Sequence, residues 1–127
     1  MTPTARSLIH LRATGALAAF VEKWNPHAKI RQDFLGFGDI LAVEPARVGV
    51  TAVQACITKD MQKRLRKILS DPVRQRVGVW LAANNRLYIW GWAKRGKRGQ
   101  PKLWKMTQID VGDEYAVQTT RDVEVQV

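Results

Sequence analysis

Gly36-Phe37-Gly38-Asp39-Ile40-Leu41-Ala42-Val43, a turn at Glu44-Pro45-Ala46-Arg47, and then Val53-Gln54-Ala55-Cys56-Ile57 decide the fold. Both apolar stretches have strand length and are separated by a proline-containing turn, so they read as an antiparallel pair over residues 39–43 and 48–57. An acid, Asp39, heads the first strand. A polar residue, Gln54, interrupts the second. Period-two alternation puts Gln54 and Cys56 on one face. An acid at a strand end has one strong chemical use, the grip of a hard divalent cation. Its bland use is to cap a turn, and alternation alone does not separate the two.

Working outward, residues 4–14 read as a helix with Leu8, Leu11 and Ile9 as its apolar stripe and Gly15 just past its end. Residues 16–24 read as one strand, with Glu22 near its end. A long loop follows from Asn25-Pro26 to Gly38, carrying His27, Lys29, Arg31 and Asp33. Thr58 suits the cap of a helix over residues 59–70, buried through Met61, Leu65, Ile68 and Leu69. Asp71-Pro72 restarts the chain as a second helix that runs to about Ala83. Residues 86–93 and 102–109 read as a final strand pair. The expected order is α-β-β-β-α-α-β-β, a single α/β domain over residues 1–127 with a mixed central sheet and flanking helices.

Charge narrows the partner. Residues 1–109 hold 20 basic and 6 acidic side chains, a balance of +14, and residues 110–127 hold 1 and 5, a balance of −4. A cationic body attracts a polyanion and releases counterions from its phosphates. The alternative is a protein-binding accessory factor whose basic face meets an acidic partner. Residues 110–127 read as an acidic tail whose role the sequence leaves open; if it covers the cationic surface until DNA displaces it, removing it raises DNA affinity. No apolar run reaches membrane-span length, and no helix sets a greasy face against its lysines, so a membrane partner is not expected. One cysteine and a start without signal-peptide layout suit a reducing cytoplasm.

Two basic segments are candidate DNA contacts. Lys59, Lys63, Arg66 and Lys67 form a helix face with no acid between Asp60 and Asp71. Lys94, Arg95, Lys97 and Arg98 lie in a glycine-rich loop that reads either as a non-specific clamp or as a disordered turn. Tyr88, Trp90 and Trp92 share a strand face that reads as core, with stacking on unpaired bases as the alternative. His10, His27 and Cys56 lack zinc-ligand spacing. Cys56 reads as a small buried residue, not a nucleophile.

The stretch from Gly36 to Cys56 resembles the core of the PD-(D/E)XK nuclease superfamily, and most of all its small Holliday-junction-resolvase-like and virus-type repair branches of phage or prophage kind. Those have Gly-x-Pro-Asp before an apolar strand, a short turn, and a strand with Glu-x-Lys. Asp39 matches the aspartate, Gln54 falls on the glutamate and Cys56 on the lysine; Gly38 stands for the proline. The similarity covers roughly residues 4–83. It implies a restriction-endonuclease-like fold and a Mg2+- or Mn2+-dependent endonuclease selective for branched DNA, and a homodimer is compatible with it because two strands need two sites. It implies metal ligation by Asp39, by Gln54 as a neutral ligand, and by Glu22 in place of the family's helix-1 glutamate, since residues 4–14 contain no acid. With Cys56 at the lysine position, Lys59 or Arg31 is the expected charge stabiliser. A non-catalytic DNA-binding relative with a degenerate site is the second expectation. Asp33 is a further ligand candidate, although an ion pair with Arg31 or Lys29 is the preferred reading for it.

Overall fold

The computed structural model describes residues 1–126. Eleven residues, Pro3–Ala13, form α1. Thr2 caps it by accepting from the Ala5 amide at 3.1 Å, and Pro3 opens the first turn. Gly15, at φ +90°, turns the chain beyond the helix end. The strands are β1 (Leu17–Phe20), β2 (Lys23–Asn25), β3 (Ile30–Gln32), β4 (Ile40–Val43), β5 (Thr51–Ile57), β6 (Arg86–Arg95) and β7 (Leu103–Asp110). Between β5 and β6 lie a 3-10 turn (Thr58–Asp60), α2 (Met61–Ile68) and α3 (Val73–Ala82); α4 (Val111–Gln126) ends the order.

Five strands make one mixed sheet in the order β1-β4-β5-β6-β7. The β4–β5 pair is antiparallel, as its short turn requires. β5 and β6 are parallel, as the helical crossover between them requires. β5 is central and buried along most of its length, which is why it reads as an almost unbroken apolar run. α1 covers one face of the sheet, where Leu8, Leu11, Ile40, Val53 and Trp90 form a core. On the other face Phe37, Cys56, Met61, Ile68, Ile89 and Val111 form a second core. Gly91 is where α2 presses closest on the sheet; a Cβ there would strike Met61 and the backbone of Thr58. No helix among the described residues is long and apolar enough to cross a membrane.

Several expectations change. The strand expected over residues 16–24 breaks after Phe20, and Glu22 sits in the break. Val21 still bonds the Asp39 carbonyl at 3.0 Å, but the chain then leaves the sheet to pair β2 with β3 in a separate hairpin. Half of the expected long loop is thus ordered as β2–β3, with a bridge from Phe34 to Gly38 closing the remainder. Thr58 does not cap α2; it lies inside the 3-10 turn, and its buried hydroxyl finds no partner. Pro72 occupies the cap position of α3, without a side-chain bond from Asp71.

The acidic tail is a helix. Within α4, Val111 is fully buried, Tyr115 packs on the core, and Gln118 accepts from Arg74 Nε at 2.6 Å. Its first residues pack because Asp110 Oδ1 accepts from the Gly112 amide and so turns the chain back over β6. Val127 lies outside the described residues.

Candidate functional site

The site lies where β1 ends, β4 begins and β5 ends. The antiparallel register that pairs Ile40 with Val53 puts Asp39 opposite Gln54. The Asp39 amide donates to the Val53 carbonyl at 2.9 Å, so the acid is fixed to β5 before β4 starts. Its Oδ2 accepts from the Ala55 amide at 2.8 Å and from Gln54 Nε2 at 2.9 Å. Asp39 is only 3% exposed. Gln54, expected as a ligand through its oxygen, thus uses its amide nitrogen to hold Asp39 in place.

The break after β1 sets Glu22 beside it, and the Phe34–Gly38 turn swings Asp33 in from the other side. That turn depends on Gly36, at φ +85°, whose missing Cβ would meet Val73 at 2.9 Å. Glu22, Asp33 and Asp39 each offer an oxygen within 4.8 Å of the others. Opposite ligands of an octahedral Mg2+ stand about 4.2 Å apart and adjacent ones about 3 Å apart, for bonds near 2.1 Å. An ion of that size therefore fits between the three carboxylates with side-chain adjustments under about 1 Å. The expected pair Glu22 and Asp39 is brought together, and Asp33, expected to pair with a loop cation, joins it. Arg31 pairs instead with Glu22, at 3.6 Å.

Crowding the three acids is electrostatically unfavourable without a cation. Burial first, and then the neighbouring Asp33 and Glu22 carboxylates, push the Asp39 carboxyl up to about 7, against the lowering effect of the Ala55 amide.

Cations surround the acids. A cleft of about 590 Å³ is lined by Glu22 and Asp33 together with Arg31, Arg64, Lys67 and Arg76. A second, about 340 Å³, is lined by Thr4, Glu22, Asp39, Cys56, Asp60 and Arg64. Arg64 and Glu22 border both. Arg64 also stands near enough to Cys56 to act on its thiol electrostatically, although burial dominates and pushes that thiol up to about 11. Cys56 is a core residue.

Lys59, expected as the charge stabiliser, is exposed on the 3-10 turn and borders neither cleft. Sequence reasoning missed two cleft cations, Arg76 and, bordering both clefts, Arg64. For Arg64 the signal was present: it lies three residues from Met61 and four from Ile68, at the margin of the buried stripe, whereas attention to the fully solvated face selects its neighbours. Of those, Lys67 reaches the cleft, and Lys63 and Arg66 remain on the exposed helix surface. His10 stands edge-on to Trp90 and Trp92, at centroid distances of 5.3 and 6.1 Å, a packing role. His27 lies in the β2–β3 turn, its amide donating to Asn25 Oδ1. Trp90 and Trp92 are buried against α1, Trp92 through a 2.9 Å bond from Nε1 to the Ser7 hydroxyl. No family model matches the chain, and no curated protein or solved structure matches it either.

Proposed function

We propose that the protein is a metal-dependent endonuclease that hydrolyses DNA phosphodiesters, on a restriction-endonuclease-like core, with branched DNA as its preferred substrate. One observation carries the reading: of three convergent carboxylates, Glu22 and Asp33 line a cleft with Arg31, Arg64, Lys67 and Arg76, and Asp39 lines a second cleft that Glu22 and Arg64 also border. A structural cation site has no use for four further cations. A site for a phosphodiester does, since the ion and the phosphate oxygens make opposite demands. The placement of an acid before β4, opposite a β5 ligand position and ahead of a helical crossover, supports the same core.

Glu22, Asp33 and Asp39 would hold Mg2+ or Mn2+. The ion, when bound, supplies charge stabilisation at the scissile phosphate and a more acidic water. Gln54 and the Ala55 amide fix the Asp39 carboxylate, which frees its second oxygen for the ion. Arg64 stands between the two clefts and neutralises charge on the phosphate as the bond to the leaving oxygen breaks. Arg31, Lys67 and Arg76 orient the strand by its phosphates.

The test is cleavage of linear, single-stranded and four-way-junction DNA with Mg2+ or Mn2+, comparing wild type with Asp39→Ala and Asp33→Ala. Metal-dependent cleavage lost in both variants is expected. Cleavage that survives both refutes the assigned site. The second reading, a DNA-binding protein with a degenerate site, is favoured by β5, which carries Gln54 and Cys56 and neither an acid nor a lysine. Tight binding without cleavage under either metal would select it.

A further inference from the structure

The β6–β7 hairpin stands on the same sheet edge as the acid cluster. β5 and β6 are parallel, with Cys56 level with Gly91 and Ile57 with Trp92. β5 stops there, whereas β6 runs on to Arg95 before the chain returns at Leu103. At about 3.3 Å per residue, Arg95 stands roughly 13 Å beyond the level of Cys56. Lys94, Arg95, Lys97, Arg98, Lys102 and Lys105 line this arm, and residues 94–105 include no acid.

The base of the arm is fastened to α1. Trp104 pairs with Lys94 across the hairpin. The Arg6 guanidinium lies 3.9 Å over the Trp104 ring, and the Lys94 ammonium is 5.8 Å from the same ring. Both contacts are in the range of cation–π attraction. The first turn of α1 borders the cleft at Asp39 through Pro3 and Thr4. Arg6 thus ties the arm to the helix whose first turn borders the acid cluster. Among the described residues no carboxylate pairs with Arg6 or with any cation of the arm. A solubilising surface intersperses both signs. An acid-free arm concentrates self-repulsion that a polyanion relieves. Duplex DNA carries one charge per about 3.4 Å along each strand, so a 13 Å span offers about four phosphates per strand.

We infer that Arg6, Lys94 and the β6–β7 hairpin form a phosphate-binding arm that grips duplex DNA to one side of the scissile bond. The inference rests on the proposed DNA-directed function and adds where the flanking duplex lies.

The experiment is fluorescence anisotropy of a labelled duplex in EDTA, between about 50 and 200 mM salt. Wild type is compared with the fourfold variant Lys94→Gln, Arg95→Gln, Lys97→Gln, Arg98→Gln, with Arg6→Gln, and with Arg47→Gln at the opposite sheet edge. Each lost phosphate contact lowers the slope of log K against log salt by about 0.9. The fourfold variant is expected to lose about 3–4 units of slope, Arg6→Gln about 1, and Arg47→Gln none. A fourfold variant with the wild-type slope overturns the arm and leaves the nuclease reading standing. Wild type that binds no duplex at the lowest salt also overturns the arm, whereas the nuclease reading is decided by metal-dependent cleavage. Equal losses in all variants show a diffuse charge effect and also overturn the arm. All substitutions are on exposed or half-buried surface positions, and a thermal melt of each variant checks its fold.

Discussion

Asp39 holds the most consequential proton in the molecule. It remains protonated in the folded protein up to about pH 7, whereas an unfolded aspartate ionises near 4. Between those values the folded state binds the extra proton. Stability from this group is therefore present at low pH and is lost as pH rises towards 7. The metal-free protein should melt lower at pH 8 than at pH 5, and Asp39→Asn should remove most of that difference. Mn2+ should raise the melting temperature of wild type more at pH 8 than at pH 5, because it displaces the same proton. A metal response independent of pH, or intact in Asp39→Asn, would contradict the site.

Cys56 makes the complementary prediction at the same scale. Its thiol is buried and pushed up to about 11. Iodoacetamide should leave it unlabelled in folded protein at pH 8. Cys56→Ala should cost about 1 kcal/mol in denaturant unfolding and leave DNA cleavage within about twofold of wild type. Asp39 was legible as a candidate because an acid opening an apolar strand stands out against its neighbours. The bonding direction of Gln54 was not, since an amide offers both a donor and an acceptor and only the facing group selects one.

At the scale of elements, the break between β1 and β2 matters most. An unbroken strand would carry Glu22 along the sheet by the strict two-residue alternation. The break instead releases it to the β4 end, and the Phe34–Gly38 turn delivers Asp33 to the same point. Alternation in Leu17–Asn25 suggested continuity because each half does pair, only in different sheets. Asp33→Asn should weaken Mn2+ binding by calorimetry at least about tenfold while the fold persists, since Asp33 is only half-buried.

α2 supplies the cation that β5 lacks. Arg64→Ala should lower kcat for cleavage by about 10²–10³ with Mn2+ affinity unchanged, and Arg64→Lys should recover part of the loss. Lys59→Ala should stay within about twofold, because Lys59 borders neither cleft. Loss of activity in Lys59→Ala with Arg64→Ala unaffected would reverse the assignment.

The whole molecule is a sheet covered on both faces, and its acidic C-terminal segment is part of that covering. Truncation after Asp110 removes buried Val111 and the Tyr115 contact. It should destabilise the protein by several kcal/mol, about 3 or more, read as a lower urea midpoint. If α4 were a mask over the basic surface, the truncated protein would keep its midpoint and bind DNA more tightly. The −4 balance of residues 110–127 suggested a tail because charge was its strongest pattern, and it obscured two apolar side chains one helical turn apart.

The sequence by itself determined the mixed α/β layering, the antiparallel β4–β5 pair, the buried stripe of α2, the Trp90 and Trp92 core face and the cationic balance of the body. All of these follow from local periodicity, turn residues and counted charge, which need no knowledge of distant neighbours. Tertiary structure alone decided which acids meet, how Gln54 bonds, that Arg64 rather than Lys59 reaches the cleft, and that the basic hairpin shares the sheet end of the acid cluster. Each of those depends on strand register or on a chain break that brings residues far apart in sequence to one point. Convergence of like charges has no local signature: nearby residues do not favour it, and the rest of the fold must impose it.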